Sequence, residues 1–568
     1  MTGEVITDAS ERLVRWKDHF ENLLNFPAPV ASDLINTDQT TTETYDINCE
    51  PPNADEIAHA ITCLKNNKAP GEDSLPAEIY KCCSEALVQP LQRLFSQIWR
   101  QEAFPQNWRD ALLLPFFKKG DRTLCSNYRG ISLLDVAAKL FAILLLKRFQ
   151  HQRDLRTRRN QAGFRVGRGC LDQLFSIRRL LEHRSSYQQP TIICFIDFTA
   201  AFDSVHRTAL WRLMELDGVP VKIINLLKAY YNQTRANVQV YGEVTETFPV
   251  RTGVRQGCVL SPILFNFTID WILRNALSHA HGVELAPGKA LTDLDYADDV
   301  ALFTTNISEM QSIMDRVDQY ASTIGMNISL NKTKILYSSI PDDDKRPLLY
   351  RGSPIEEVSQ FKYLGSIISS TGQAGLDIDA RINSARTAFA KLQKTLWCRK
   401  EIRLQTKVRI YQAMVRTVLL YGCECWQLRV DDIRRLEVFD HWCLRRMLGI
   451  QWDDHTSNAD IRQKCLIRCL STTIQERRLR WLGHVLRKPP DEVVSICLHT
   501  SPCTGWKKRP GGQRKTWLDL IKEDMAKIAG PTVYGLRRWN RDWLCIACDL
   551  ASDRAAWRAA TRDILEAG

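Results

Sequence analysis

Acidic residues stand beside two strongly apolar runs of this chain. Asp197 ends the run TIICFID, and the adjacent pair Asp298 and Asp299 precedes the run VALF. An unpaired carboxylate at the end of a buried strand is costly, because burial favours the neutral acid. If the three carboxylates converge, their oxygens suit divalent cations such as Mg²⁺, and two such ions can promote phosphoryl transfer. The alternative for the adjacent pair alone is an ordinary solvated acidic turn.

The pattern around these acids predicts the elements that position them. Thr191–Phe198 is an uninterrupted β-rich run, typical of a strand buried on both faces. Asn53, with Glu56 three positions later, predicts a capped helix start, and Pro262 predicts the first turn of another helix. From Gly375 onward the pattern is helical and rich in Arg and Trp. Further helices are predicted at Glu11–Asn25, Ala77–Gln101, Ile131–Gln150, Arg207–Leu216, Val221–Tyr231 and Ser308–Thr323, a hairpin at 236–253, and strands at Lys334–Tyr337 and Gln360–Leu364.

The composition is that of a large, basic globular protein. The 568 residues carry a net charge of +12 and are 44% hydrophobic, and this length predicts about three or four domains. The positive balance favours a polyanionic partner such as nucleic acid, and residues 476–568 hold 18 basic and only 11 acidic side chains.

The same composition argues against secretion and against a membrane. The 18 scattered cysteines are typical of reduced thiols inside a cell. The longest apolar run, Ala137–Phe149, contains Lys139 and is too short to span a bilayer. We therefore expect an intracellular protein, in the nucleus, the cytoplasm or both, with no membrane partner.

Seven stretches, in order along the chain, resemble the reverse transcriptases of non-long-terminal-repeat (LINE-type) retrotransposons. FIDFTAAFDSV and YADD are similar to the two catalytic motifs of that family. The resemblance covers roughly residues 65–370. The other stretches are FFKKGDRTLCSNYRGISLL (116–134), NQAGFRVGRGCLDQL (160–174), RTGVRQGCVLSPILFN (251–266), GMNISLNKTKILYS (325–338) and FKYLGSIIS (361–369).

The resemblance implies a catalytic centre with two Mg²⁺ ions. Asp197, Asp298 and Asp299 would hold the metals, together with the backbone carbonyl of Phe198. Lys332 matches a lysine that protonates the pyrophosphate leaving group in this family. A surface lysine is the alternative for Lys332.

The resemblance also assigns binding roles. Lys118, next to Lys119, and Arg129 would grip the triphosphate or the template. Phe202 would exclude a ribose 2′-hydroxyl, although an ordinary core phenylalanine is the alternative. Gln256 and Gly257 would lie beside the nucleotide. Phe361, Leu364 and Gly365 would belong to a strand that grips the primer end. The alternative for that strand is an ordinary edge strand of the core.

The implied fold is α/β, a right-hand polymerase with fingers and palm, a helical thumb and a basic, mostly helical C-terminal region. The predicted boundaries are 1–64 for an N-terminal linker and helix, 65–370 for fingers and palm, 371–475 for the thumb and 476–568 for the C-terminal region. Ala200 and Glu72 depart from the residues usual in the family. Only about 65 residues precede the first match, so we expect no N-terminal endonuclease domain.

The C-terminal region has weaker signals. Its Trp and Arg residues suit either base stacking and phosphate binding or a helical core. The basic run Lys507–Lys515 is also compatible with a nuclear import signal. Zn²⁺ is not favoured there, because the spacing of the candidate ligands fits no standard finger; these are Cys465, Cys469, Cys497, Cys503, Cys545, Cys548, His484 and His499.

The resemblance therefore predicts an RNA-directed DNA polymerase that extends a DNA primer with dNTPs on an RNA template. Two alternatives remain open. One is an RNA-dependent RNA polymerase, which usually carries a polar group at the position of Phe202. The other is an inactive or domesticated remnant that only binds nucleic acid.

Overall fold

The structure is a computed structural model, and it describes residues 6–27, 42–511 and 514–566. Part of the predicted N-terminal linker (28–41) and two residues of the basic run Lys507–Lys515 (512 and 513) lie outside the described residues. The chain folds into two compact units. Unit 1 comprises residues 1–166, 197–279 and 312–332, and unit 2 comprises residues 167–196, 280–311 and 333–568.

Helices account for most of the regular structure. In chain order they are α1 (Ala9–Leu23), α2 (Ala54–Thr62), α3 (Ala77–Cys82), α4 (Ser84–Gln101), α5 (Gln106–Arg109), α6 (Val136–Arg156), α7 (Cys170–Ser186), α8 (Ala201–Ser204), α9 (Arg207–Leu216), α10 (Val221–Tyr231), α11 (Ser261–Ala276), α12 (Ile307–Thr323), α13 (Gly375–Lys391), α14 (Leu404–Tyr411), α15 (Thr417–Leu419), α16 (Val430–Leu448), α17 (Asn458–Cys465), α18 (Leu470–Leu486), α19 (Val493–Leu498), α20 (Trp517–Ala529), α21 (Pro531–Tyr534), α22 (Leu536–Ser552) and α23 (Arg554–Glu566).

The strands are short. They are β1 (Asp110–Phe117), β2 (Tyr128–Leu133), β3 (Thr191–Ile196), β4 (Arg235–Val240), β5 (Glu243–Val244), β6 (Phe248–Pro249), β7 (Val283–Ala286), β8 (Lys289–Leu291), β9 (Asp293–Tyr296), β10 (Asp299–Thr304), β11 (Lys334–Ser338), β12 (Leu349–Tyr350), β13 (Ser353–Pro354), β14 (Glu356–Glu357), β15 (Gln360–Tyr363) and β16 (Ser366–Ser369).

Unit 1 contains a sheet in the order β2-β1-β4-β5, with β6 also paired to β4. Helix α1 packs on it through Trp16 and Phe20, which share a core cluster with Leu113, Val238 and Phe248. This contact explains the apolar stripe of the predicted first helix, because an amphipathic helix is stabilised mainly by burying that stripe.

Unit 2 contains the sheet β14-β11-β3-β10-β9. All six residues of β3 are buried, as the uninterrupted apolar run predicts for a central strand. Strand β3 pairs antiparallel with β10 on one side and with β11 on the other. The sheet therefore places the end of β3 beside its two neighbours.

Local capping signals predicted helix starts correctly. Asn53 and Glu56 form the expected capping box at the start of α2, and α11 carries its proline in the first turn. Helices α9 and α10 have the predicted bounds.

Two helix predictions were wrong in their bounds. The predicted helix Ala77–Gln101 is broken between α3 and α4, where Cys83 is not helical. The predicted helix Ile131–Gln150 begins only at Val136, because Ile131, Ser132 and Leu133 pair with β1 as part of β2. Pairing with a strand distant in sequence overrode the local apolar periodicity there.

The helical part of unit 2 has two apolar clusters, and several tryptophans are central to them. Trp481, Trp517, Trp539 and Trp557 lie in a cluster with residues of α7, β3, β9 and β10. Trp397 and Trp426 lie in the second cluster. For these tryptophans the core interpretation of the sequence is confirmed.

The candidate zinc ligands Cys497 and Cys465 lie in different apolar clusters. Cys497 is buried in the first of these clusters and Cys465 in the second, whereas Cys545 is exposed.

Of the helices that the structure describes, none is both long and apolar enough to cross a bilayer.

Candidate active site

The Asp298–Asp299 pair lies in a tight hairpin of unit 2. Strands β9 and β10 are antiparallel with Tyr296 opposite Asp299, so Ala297 and Asp298 form a two-residue turn. Ala297 has φ of 58°, as the first position of such hairpin turns requires. A residue with a side chain is strained by about 1 kcal/mol or more in this conformation. Asp298 is half-buried and Asp299 is exposed.

Two buried side chains hold the backbone of β9. Gln173 of α7 donates from Nε2 to the carbonyl oxygen of Asp295 at 2.8 Å. The Tyr363 hydroxyl donates to the carbonyl oxygen of Leu294 at 3.1 Å. The hairpin that carries Asp298 is therefore fixed by α7 and by β15.

The register of the sheet determines where β3 ends. Ile196, its last residue, is the register partner of Val300 in the antiparallel strand β10. The end of β3 therefore lies at the end of the sheet where β10 begins. Asp197 is the next residue after β3, and Asp299 is the first residue of β10.

In unit 1, Asp197 contacts Lys332. The Lys332 ammonium lies 2.9 Å from Oδ2 of Asp197. The carbonyl oxygen of Asp197 accepts from the Ser329 amide at 2.8 Å, and Phe198 forms an isolated antiparallel bridge with Ile328. The backbone thus brings together two residues to which the sequence assigned catalytic roles, although they are 135 positions apart.

Gln256 is held by a residue that the sequence analysis did not single out, Asp203. Gln256 Nε2 donates to both carboxylate oxygens of Asp203, at 2.7 and 2.9 Å. Burial raises the pKa of Asp203 to about 6, against the lowering effect of the Gln256 hydrogen bond and of the Lys118 and Arg129 charges. The available signal was an acid inside the apolar stretch AAFDSV.

Gly257 occupies a position that only glycine fits. Its φ is 121°, and a Cβ atom would lie 2.4 Å from the carbonyl oxygen of Ser132. The Ser132 amide in turn donates to the carbonyl oxygen of Gln256 at 2.7 Å. The close backbone approach expected at Gly257 is therefore made to strand β2.

Lys118 directly follows β1, and Arg129 is the second residue of β2. The Lys118 amide donates to the carbonyl oxygen of Asn127 at 2.8 Å, which closes the β1–β2 connection. Burial and the charge of Arg129 lower the pKa of the Lys118 amine, while Asp203 raises it. The charges of both cations thus act on the Asp203 carboxylate, which accepts hydrogen bonds from Gln256.

The Phe202 ring is half-buried. It stacks on Phe265 of α11 with ring centroids 4.3 Å apart, and Phe164 meets it edge-on at 6.2 Å. The ring is therefore held rigidly and keeps part of its surface exposed.

The predicted primer-grip residues lie in the hairpin β15–β16 of unit 2. Phe361 stacks on Phe195 of β3 with ring centroids 4.2 Å apart. Leu364 and Gly365 form its turn with φ of 44° and 82°, the values of a type I′ turn. Tyr421 donates to the Leu364 carbonyl at 2.8 Å, and Arg381 donates to that of Gly365.

A divalent metal fits the chemistry of the candidate acids. Within the described residues, no group of three or more His, Cys, Asp and Glu side chains is gathered as a metal site. Asp197 nevertheless holds a cation, the Lys332 ammonium. Carboxylate oxygens are the ligands that Mg²⁺ prefers, so the donor types agree with the expected metal.

The residues predicted for a nucleotide-polymerising site are therefore divided between the units: Asp197 and Lys332 belong to unit 1, and the Asp298–Asp299 hairpin belongs to unit 2. Residues 117–368 match the family described as reverse transcriptase (RNA-dependent DNA polymerase). This match covers a little under half of the chain. The family expectation of the sequence analysis is thereby confirmed.

Curated relatives agree with this family. The RNA-directed DNA polymerase from mobile element jockey of Drosophila funebris is 27% identical over 72% of this chain and 45% of its own length. The probable RNA-directed DNA polymerase from transposon X-element of Drosophila melanogaster is 26% identical over 70% of this chain and 44% of its own length. The chain thus spans less than half the length of these relatives.

A solved structure also shows a weak likeness. Apo telomerase from Candida tropicalis, truncated from its C-terminal domain, matches with a TM-score of 0.33 and 12% identity. The match covers 48% of this chain and 55% of that chain.

Proposed function

We propose that this chain is an RNA-directed DNA polymerase of a LINE-type element. It would extend a DNA primer 3′-hydroxyl with dNTPs on an RNA template. The register of β3 and β10 carries this proposal, because strand pairing brings the end of β3, just before Asp197, to the start of the Asp298–Asp299 hairpin strand. The reverse transcriptase match over residues 117–368 supports it.

In this proposal, Asp197, Asp298 and Asp299 hold two Mg²⁺ ions together with the backbone carbonyl of Phe198. Bound there, the ions would activate the primer hydroxyl and offset the charge that develops on the phosphate oxygens. Lys332 holds a proton on Nζ, 2.9 Å from the Asp197 carboxylate, and would deliver it to the leaving pyrophosphate.

The nucleotide would be held by residues of unit 1. Lys118 and Arg129 are cations suited to the triphosphate. Gln256, oriented by Asp203, and Gly257 would lie beside the incoming nucleotide. The rigid Phe202 ring would exclude a 2′-hydroxyl by overlap.

The primer end would be held by the hairpin that contains Phe361, Leu364 and Gly365. We also propose the division into an N-terminal segment (1–64), fingers and palm (65–370), a helical thumb (371–475) and a C-terminal region (476–568). Hydrogen bonds from the thumb-region residues Arg381 and Tyr421 to the hairpin turn support its role in positioning a strand end.

Substitution of the carboxylates tests this proposal. Asp298→Ala or Asp197→Ala should abolish extension of a DNA primer on homopolymer RNA, while binding of the primer–template persists, because phosphate contacts elsewhere remain. A residual rate above about a tenth of wild type, a loss below about 1.4 kcal/mol, would refute the metal assignment. Asp344→Ala, at an exposed acid, is the matched control and should extend normally.

The same assay separates the alternatives. Wild-type protein that extends with rNTPs as readily as with dNTPs would support an RNA polymerase. Protein that binds the primer–template but extends with neither substrate would support an inactive nucleic-acid-binding remnant.

A further inference from the structure

A second basic surface lies in unit 2 and includes none of the candidate catalytic residues. It is a cleft of about 360 Å³, lined by four basic side chains from two regions of the sequence. We call it the basic cleft and define it by Arg429, Arg509, Arg514 and Lys515. Three of the four come from the basic run Lys507–Lys515, for which the sequence left the role open.

The described parts of the basic run are fixed to the body of unit 2. The Arg509 amide donates to the carbonyl oxygen of Ser186, at the end of α7, at 3.0 Å. Just after the run, the Trp517 amide donates to Glu182 at 2.7 Å, and its indole donates to the carbonyl oxygen of Glu424 at 2.8 Å. The backbone on both sides of Arg514 and Lys515 is therefore anchored to α7.

The arginines of the cleft are close enough to repel one another. Burial, and then the charges of Arg509 and Arg429, lower the pKa of Arg514. Arg429 also approaches the start of α13, since a Cβ atom on Gly375 would lie 3.3 Å from its guanidinium. An anion bound between these groups would relieve their mutual repulsion.

Three helices begin at this cleft. Gly375 starts α13, Arg429 is the N-cap of α16, and Thr516 is the N-cap of α20. These helices have 17, 19 and 13 residues. Helix N-termini favour negative charge, and each of these already has an acid in its first turn: Asp377, Asp432 and Asp519.

The two acids that line the cleft offset only part of the charge of its four basic residues. Glu182 is occupied by Arg179 and by the Trp517 amide, and burial raises its pKa. Asp432 is 1% exposed and pairs with Arg429 at 3.1 Å. Asp432 thus offsets part of the Arg429 charge, and Lys515 pairs with Glu523 at 2.5 Å.

We propose that the basic cleft binds a backbone phosphate of a nucleic acid strand. A guanidinium fork recognises phosphate oxygens and reads no base, so the cleft accepts RNA and DNA alike. The choice of nucleic acid as ligand rests on the proposed function. The cleft would serve as an anchoring point that takes no part in the chemical step.

Neutralising two cations of the cleft tests the proposal. The variant is Arg429→Gln/Arg514→Gln, with the single variant Arg514→Gln in case loss of the Arg429–Asp432 pair disturbs folding. The control is Arg537→Gln/Arg558→Gln, which removes two exposed arginines from the same unit and changes the net charge equally. Binding of single-stranded RNA and of DNA of the same sequence is measured over a KCl series.

We expect the cleft variant to bind both strands about tenfold more weakly. The slope of log K against log salt should fall in magnitude by about 0.7, as loss of one phosphate contact on a single strand predicts. The control should keep the wild-type slope. Equal losses in both double variants would refute a specific site, and so would an unchanged slope in the folded cleft variants.

Primer extension separates this proposal from the proposed function. If the wild-type protein extends primers and the cleft variants keep the wild-type salt slope, only the proposed phosphate site in the cleft is refuted. Conversely, the wild-type protein could fail to extend primers while the cleft variants bind nucleic acid more weakly. That outcome would support the phosphate site in the cleft and refute the polymerase function.

Discussion

At the scale of single residues, Phe202 combines a rigid ring with partial exposure. Phe202→Val should keep DNA synthesis and admit ribonucleotides, because the smaller side chain no longer overlaps a 2′-hydroxyl. The ratio of kcat/KM for dNTP over that for rNTP should fall at least about tenfold, or about 1.4 kcal/mol.

Phe265→Leu is the matched control, since it removes the ring on which Phe202 stacks. We expect this variant to lose stability and to keep most of its sugar selectivity. An unchanged ratio in folded Phe202→Val protein would make Phe202 a core residue with no role in selecting the sugar.

Asp203 should make stability depend on pH. Its folded pKa of about 6 lies above the ordinary value of 3.8, so the folded state binds the proton more tightly. Protonated Asp203 therefore adds on the order of 2–3 kcal/mol to the free energy of unfolding. This contribution is fully present below about pH 4 and is lost as the pH rises through about 6.

Asp203→Asn should flatten this dependence. Urea unfolding at several values between about pH 4 and pH 7 would show the wild type losing stability relative to the variant as the pH rises. Asp344→Asn, at an exposed acid, should follow the wild-type profile. Parallel profiles for wild type and Asp203→Asn would show that Asp203 ionises normally.

At the scale of elements, Tyr363 links hairpin β15–β16 to strand β9. Tyr363→Phe removes this hydrogen bond from a buried site and should cost about 1–2 kcal/mol in the free energy of unfolding. If the hairpin positions the primer, KM for the primer–template should rise while KM for dNTP changes little.

Tyr337→Phe offers a matched control for that change. It also removes a tyrosine hydroxyl that donates to a backbone carbonyl, that of Arg346. This contact involves neither hairpin β15–β16 nor hairpin β9–β10. An equal rise in the primer KM of both variants would contradict a specific link between β15 and the primer.

At the scale of the whole molecule, residues after 475 are part of the core of unit 2. Trp517 is fully buried and meets Phe175 of α7 with ring centroids 4.9 Å apart. Trp517→Ala should therefore destabilise unit 2 by about 3–5 kcal/mol, measured by urea unfolding. Truncation at residue 475 should be still more damaging.

Trp506→Ala tests the specificity of that effect, because Trp506 is only half-buried. We expect a smaller loss of stability than for Trp517→Ala. Equal losses would mean that burial at Trp517 does not govern the stability of unit 2.

Several features followed from the sequence because their causes are local. The capping box at Asn53 uses groups three positions apart, and the bounds of α9 and α10 follow from apolar spacing and flanking residues. The strand at Thr191 was predictable because β-rich runs without polar interruption fit a fully buried strand. The order of the seven motifs was likewise enough to identify the family.

Only the tertiary structure decided features that depend on residues distant in the chain. Ile131 is in a strand because β1 offers it a partner, and Gln256 is oriented by an acid 53 positions away. Trp517 is a core residue because α7 covers it. A sequence pattern states which side chains prefer burial or an ionic partner, whereas long-range packing and backbone pairing determine which groups satisfy them.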